Sequence, residues 1–339
     1  MIRIATSGGC RLRACLVAVA LALVMAGTEV AAQAHAGDDQ ATSPPLLAAS
    51  FQRLDEALAL GLLANDNAAT RWVAGRLATL QPAQQTRDLG AAWSREPADM
   101  LYIASLADAC MRPLSPIPDE CRNRDPLGFW SSRDPGNAVP WLLQAERSRR
   151  RNNVGSLVEN LEGAARSASY EDYSGRGGVV FASVVQPLAT EADRAAALLY
   201  ADQHGAAPLA SPLAALEAVC APSTRQLDER IARLCVRLGG LMAERATHLL
   251  NRRAGAQIAQ SVAATDSARV AASAAARAIV EQQDRCRQAV GALERLAAGA
   301  ATGRNRAQSL GQGYLTERAK SGQAAACDAL HRALFPGSG

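Results

Sequence analysis

The chain has 339 residues, of which 49% are hydrophobic but only 4% aromatic, and its formal net charge is +4. This length is ample for a large core, which must be built mainly from leucine, alanine and valine because aromatic side chains are so few. The weak net charge gives no electrostatic reason to expect a nucleic acid as a partner.

The N-terminus has the three parts of a secretory signal peptide. Three arginines precede an uncharged apolar run at 14–26, and small residues at cleavage spacing follow it. The run is shorter than the roughly 20 apolar residues that span a bilayer. We therefore predict a signal peptide at residues 1–34, with cleavage after Ala34 or Ala36, and a flexible leader at 35–44. Removing residues 1–34 leaves a formal charge of +2.

The mature protein is predicted to be periplasmic in a Gram-negative bacterium, or secreted. No later segment has 18 consecutive apolar residues, so we expect a soluble chain without stable membrane insertion. Almost all basic residues are arginine rather than lysine, and alanine is abundant; both features are typical of a GC-rich genome. The periplasm and the extracellular space are oxidising, so disulfides persist there.

From Pro45 onward the apolar residues follow a helical period. The first helix has an apolar stripe made of Leu46, Phe51, Leu54, Leu58 and Leu62. Asp66 or Asn67 would cap a second helix that stops at Gln81–Pro82, and a third helix would cover about 97–110.

Residues 111–136 interrupt this helical pattern. Five prolines in the segment exclude a long helix. The segment contains apolar side chains that can be buried, namely Phe129 and Trp130, and two cysteines lie close to them. We therefore predict a structured loop rather than a flexible linker.

A helical hairpin is predicted at 134–169. Asn137 would cap its first helix, and the arginines at 149–151 would close that helix, where the helix dipole favours positive charge. Asn152–Asn153 would make the turn. The packing residues of the hairpin would be Trp141, Ala145, Leu161 and Ala164.

The spacing of these four packing residues resembles a degenerate tetratricopeptide repeat. Gln144, Ser148, Leu157 and Ser169 depart from that pattern. The resemblance implies stacked antiparallel hairpins over 45–205 that act as a protein-binding scaffold. The layout also resembles exported proteins of gammaproteobacteria in which an Asp-Pro-x-Asn-Ala-x-Pro-Trp-Leu element follows two cysteines, and this second resemblance implies no activity.

The remainder of the chain is also predicted to be helical. The β-prone run at 177–185 lies among helical patterns, which favours a buried helix start there. A C-terminal helical region covers 206–335 and ends in a long hairpin whose turn is predicted at the Thr-Gly-Arg-Asn-Arg run, 302–306. We therefore predict an all-α fold of antiparallel hairpins stacked as a TPR-like α-α layered array, with a long C-terminal helical hairpin.

Six cysteines remain in the mature chain, namely Cys110, Cys121, Cys220, Cys235, Cys286 and Cys327. An even number in an exported protein predicts a disulfide framework, for which fifteen connectivities exist. Pairing of sequence neighbours is favoured. The first pair would staple the Pro-rich loop, and the last pair would be equidistant from the predicted 302–306 turn. The middle pair requires a connection that runs to about Asp228.

We predict no catalytic, cofactor-binding or metal-binding residues. The chain has no CxxC motif, nucleophile elbow, HExxH motif or phosphate loop. The most function-like surface segment is the loop after the predicted hairpin, because tyrosine and arginine are favoured at binding surfaces. This candidate interaction surface consists of Tyr170, Glu171, Asp172, Tyr173 and Arg176.

The favoured function is a non-enzymatic helical scaffold that binds an unidentified protein or envelope component. One alternative is a hydrolase or lyase that acts on an envelope polymer through acidic residues. It requires Glu171 and Asp172 to face another acid within about 10 Å across a cleft. A second alternative is a small-molecule binder with a pocket between helices.

Overall fold

The structure is a computed structural model that describes residues 45–78, 81–112, 114, 116–220 and 229–337. The predicted signal peptide and leader lie outside these residues. Within the described part of the chain the fold is all-α, as the helical period predicts, with 15 α-helices and no strands.

The helices, numbered in chain order, are α1 (Pro45–Ala64), α2 (Ala68–Leu77), α3 (Pro82–Arg95), α4 (Met100–Ala109), α5 (Asp119–Asn123), α6 (Pro126–Arg133), α7 (Ala138–Arg150), α8 (Val154–Arg166), α9 (Ser174–Val185), α10 (Arg194–Gly205), α11 (Ser211–Cys220), α12 (Glu229–Arg245), α13 (Leu249–Ser261), α14 (Asp266–Ala297) and α15 (Ala301–Leu334). Two short 3₁₀ helices, Gln186–Leu188 and Glu191–Asp193, connect α9 to α10. The β-prone run at 177–185 is thus part of a helix, as predicted.

Helices that are neighbours in sequence pack side by side as hairpins. The pairs are α2 with α3, α7 with α8, α9 with α10, α12 with α13, and α14 with α15. Short connections make such neighbours antiparallel. The hairpins are layered, since α15 packs on α9 and α10, α11 packs on α7, and α12 packs on α8. These contacts join the two predicted helical regions within one compact unit, Pro45–Gly339.

The core is made mostly of leucine and alanine around a small group of aromatic rings. Trp72, Phe181 and Tyr200 lie in contact at its centre, and Trp72 Nε1 donates a hydrogen bond of 2.9 Å to Ser105 Oγ. Helix α4 is buried from Leu101 to Ala109, and its two buried polar residues, Ser105 and Asp108, accept hydrogen bonds from Trp72 Nε1 and Ser211 N.

The hairpin α7–α8 packs through the residues that carry the repeat-like spacing. Ala145, Leu161 and Ala164 are fully buried, as predicted. Trp141 lies over Gly163, so closely that a Cβ at Gly163 would stand 2.6 Å from the indole ring. These residues therefore act in packing the hairpin.

Two predictions about proline in the first half need correction. The second helix ends at Leu77 rather than at Gln81–Pro82, and Pro82 begins α3, because proline fits the first turn of a helix without loss of a hydrogen bond. The segment predicted as a loop at 111–136 contains the short helices α5 and α6. Asp125 adopts a left-handed conformation (φ 39°) and caps α6 by accepting from Gly128 N, and Trp130 of α6 is buried.

The C-terminal hairpin turns earlier than predicted. Helix α14 ends at Ala297 and α15 begins at Ala301, so the run at 302–306 is helical. Helix α15 is itself broken at Gly322, whose φ of 84° and ψ of 173° suit only glycine. The chain folds back there, since Arg306 Nη2 donates to Ala333 O at 3.4 Å.

Three disulfides join the cysteines as predicted: Cys110–Cys121, Cys220–Cys235 and Cys286–Cys327. The last pair is right although its predicted turn was wrong, because the reversal at Gly322 returns the chain towards α14. The disulfides fit an oxidising compartment outside the cytoplasm. None of the helices in the described ranges combines the length and apolarity needed to cross a bilayer.

Candidate functional site

The segment predicted as an interaction surface is largely interior. Tyr170 and Asp172 are each only 1% exposed, so the prediction of a surface is wrong for these two residues. Arg176 does remain exposed, and it forms an ion pair with Asp99 at 2.7 Å. The loop is covered because residues of the C-terminal region pack onto it.

Asp172 is the residue that binds the loop to the C-terminal region. Its carboxylate accepts hydrogen bonds from Ser174 Oγ at 2.7 Å and from Leu209 N at 3.4 Å. Thr247 Oγ1 and Asn251 Nδ2 donate to the same carboxylate, each at 3.4 Å. Asp172 is therefore engaged inside the fold rather than directed into a cleft.

Glu171 and Tyr173 hold the other side of the loop. Glu171 Oε1 accepts from Tyr173 N at 2.6 Å, and Tyr173 Oη donates to Asp134 at 2.7 Å. The cap residue Asn137 donates to Glu171 O at 2.7 Å. Burial, aided by the negative charge of Asp172, raises the pKa of Glu171 to about 7. A carboxyl group with a raised pKa is common in catalytic sites, but here the acids serve the internal structure of the loop.

Replacing Glu171 by glutamine should flatten the dependence of stability on pH. The unfolded chain loses this proton near pH 4.5 and the folded chain near pH 7, so the stability of the wild type falls as pH rises through that interval. We expect the wild type to lose about 2 kcal/mol more than Glu171→Gln between pH 5 and pH 8. Urea unfolding at the two pH values measures this difference.

The matched control is Glu281→Gln, which changes an exposed glutamate on α14. We expect this variant to keep the pH profile of the wild type. Parallel profiles for wild type and Glu171→Gln would contradict the assignment of the raised pKa to Glu171.

A groove of about 610 Å³ lies beside the Cys110–Cys121 disulfide. One wall is the turn after α4 together with α5, which the disulfide holds to each other. The opposite wall is the C-terminal end of α7. The lining combines the disulfide with three apolar residues, one aspartate and five arginines: Cys110, Met111, Arg112, Leu114, Ile117, Cys121, Arg122, Asp125, Arg147, Arg150 and Arg151. We call this site the arginine groove.

Positive charge is concentrated in the arginine groove. Its five arginines and one aspartate give a formal charge of +4, which Asp119 and Glu146, beside Arg122 and Arg150, reduce to +2. The side chains of Arg122 and Arg147 are 59% and 38% exposed. They lie 3.7 Å from Asp119 and 3.8 Å from Asp125, beyond hydrogen-bond distance. Such exposed pairs contribute little to stability. Arg122 in addition donates from Nη2 to Ile117 O at 2.8 Å, which places its guanidinium at the edge of the groove.

The wall formed by α7 is held rigidly by a buried carboxylate. Glu146 is 2% exposed and accepts hydrogen bonds from Arg149 and Arg150. Burial raises the pKa of Glu146, but the hydrogen bonds from these two arginines outweigh that effect and the net pKa is lowered. Arg150 also donates to Met111 O, which ties the end of α7 to the turn after α4. The groove is therefore preorganised.

A second hollow of about 320 Å³ adjoins the arginine groove, since the two share Arg147 and Asp125. Apart from these two, its lining is mainly uncharged and polar: Leu127, Gly128, Gln144, Ser148, Ser156, Glu159 and Asn160. We call it the polar hollow. The loose Arg147–Asp125 pair thus stands between two neighbouring concave sites.

The sequence indicates that the arginines at 149–151 close a helix, and their spacing does not indicate a groove. Arg149 and Arg150 do lie in the last turn of α7. However, Arg112 and Arg122 reach the same site from the Pro-rich segment, and no linear spacing links the two sets. The one available signal was the Cys110–Cys121 pair, because a staple there fixes both arginines near each other.

The arginine groove differs from the buried loop in what it offers to another molecule. It is open, charged and partly apolar, whereas the acids of the loop are already bonded to the protein. Among the residues that the structure describes, no group of three histidines, cysteines or acids is placed to hold a metal ion. Comparison with protein-family models, curated proteins and solved structures finds no match to this chain.

Proposed function

We propose that the protein is a non-enzymatic helical scaffold of the bacterial envelope, either periplasmic or secreted, that docks a partner through the arginine groove. The observation that carries the proposal is the convergence of five arginines and one aspartate on a single preorganised concavity. Arginine is enriched in binding hot spots, and its planar guanidinium pairs with carboxylates in two-point geometry. The repeat-like spacing of the α7–α8 hairpin is consistent with such a scaffold.

The proposal predicts that capture of an envelope partner depends on the groove arginines. Oxidised protein is immobilised and exposed to periplasmic and envelope extract. We expect Arg147→Gln combined with Arg151→Gln to abolish recovery of the partner, because two accessible charges of the groove are removed while Arg150 and its hydrogen bonds to Glu146 remain. Quantitative mass spectrometry of the eluates measures recovery.

The matched control is Arg269→Gln combined with Arg332→Gln, which removes the same charge from exposed positions on the C-terminal hairpin. We expect this control to capture the partner as the wild type does. Moderate salt should weaken capture by the wild type and by the control equally. Equal recovery by all three proteins would overturn the proposed docking site.

A further inference from the structure

The chemistry of the arginine groove narrows the class of its occupant. An isolated phosphate or a fully charged polymer would use the arginines but leave the apolar part of the wall unused. That part contains Met111, Leu114 and the disulfide, together with Ile117, which is 55% exposed. A ligand that fits the whole lining must therefore carry both negative charge and an apolar group.

The polar hollow indicates that the occupant is extended. The two concavities meet at Arg147 and Asp125, so a ligand that occupies both must extend across these residues. A compact anion would fill only one of the two. In the hollow, Gln144 Nε2 already donates to Ser131 Oγ at 2.7 Å and Asn160 Nδ2 to Ser148 Oγ at 3.1 Å, which leaves the amide oxygens of Gln144 and Asn160 to accept from a peptide backbone N–H. Glu159 and Asp125 outnumber Arg147 there, so the carboxylates of the occupant lie in the arginine groove. Charge, apolar contact and backbone hydrogen bonding occur together in an acidic peptide.

We propose that the two sites together bind an extended acidic segment of a partner protein, with an apolar side chain on the groove wall and flanking carboxylates on the arginines. This inference rests on the proposed docking function and names its ligand class. Asp125 acts as an internal competitor in the unbound protein, because its carboxylate lies 3.8 Å from Arg147 and is 67% exposed. A carboxylate of the partner takes its place on Arg147.

The role of Asp125 gives a variant that should gain affinity. Asp125→Asn removes the competing charge, while its side-chain oxygen can still accept from Gly128 N and cap α6. Asparagine also tolerates the left-handed backbone at this position (φ 39°). The variant is therefore expected to fold and to expose a more positive groove.

The test uses fluorescence anisotropy with the full oxidised protein and a short labelled peptide in which glutamates flank a central leucine. We expect binding that weakens about tenfold in Arg147→Gln/Arg151→Gln and tightens about threefold in Asp125→Asn. The control Arg269→Gln/Arg332→Gln should bind as the wild type does. Replacing the glutamates by glutamine, or the leucine by serine, should weaken binding in each case.

Three outcomes would overturn the ligand class. The affinity for the peptide could stay the same when its leucine is replaced by serine, it could stay the same in Asp125→Asn, or inorganic polyphosphate could bind as tightly as the peptide. If capture of an envelope partner still depends on Arg147 and Arg151 in that event, the docking function stands and only the acidic peptide is refuted. If capture is independent of these arginines, the docking function itself is refuted.

Discussion

Replacing Gly239 by alanine is expected to destabilise the protein by about 3 kcal/mol, whereas the same change at the adjacent Gly240 should stabilise it by about 0.5–1 kcal/mol. A Cβ at Gly239 would lie 2.6 Å from Gly255 O and 2.8 Å from Ala259 N. Both atoms belong to the backbone of α13, so α12 and α13 would have to separate. A Cβ at Gly240 meets nothing within 4 Å.

Urea unfolding followed by circular dichroism measures both changes. The two positions share a helix and differ by one residue, which makes each variant the control of the other. Similar midpoints for Gly239→Ala and the wild type would show that α12 and α13 do not approach as closely as described.

Replacing Asp172 by alanine is expected to cost about 3 kcal/mol and to loosen the contact between the loop and the C-terminal region. The substitution leaves the buried donors of Leu209, Thr247 and Asn251 without their acceptor, and each uncompensated buried group costs about 1–3 kcal/mol. Native-state hydrogen exchange should show faster exchange at Leu209 N, in addition to the lower unfolding midpoint.

The control for this prediction is Asp284→Ala, which removes an exposed carboxylate that pairs with Arg287 at 3.1 Å. Its effect should stay within about 0.5 kcal/mol. Unchanged protection of Leu209 N in Asp172→Ala would show that the carboxylate does not join the two parts of the fold.

Most helices were predictable from the sequence because they depend on local features. Apolar residues at helical spacing mark α1 and the α7–α8 hairpin, and Asn67 and Asn137 cap their helices as predicted. Cys110 and Cys121 lie close enough in sequence to pair, whereas contact between Cys286 and Cys327 depends on the reversal at Gly322. Helix α3 is not evident from the sequence, because a proline such as Pro82 indicates the end of a helix as well as the start of one.

The reversal at Gly322 could not be predicted from the sequence. A glycine within a helical pattern costs only about 1 kcal/mol, so the pattern alone does not show whether the helix continues. Here the choice is decided by contacts with another element. Gln323 N donates to Thr247 O at 2.8 Å, and Gln323 Oε1 accepts from Leu249 N at 2.9 Å.

The loop at 170–176 was mistaken for a surface because its composition is polar. Whether a polar side chain is exposed depends on the partners that it finds, and those of Asp172 lie far along the chain at Leu209, Thr247 and Asn251. The residue type indicates that burying a carboxylate is unfavourable, but it does not show which hydrogen bonds in the fold compensate for that burial.

By itself, the sequence determined that this protein is built of helices and favoured the pairing of neighbouring cysteines, since periodicity and spacing act over short stretches of chain. Only the tertiary structure decided that Asp172 is buried and that Arg112, Arg122 and the arginines of α7 meet in one groove. The physical reason is that electrostatic potential and burial depend on distances in space, which the packing of remote segments sets.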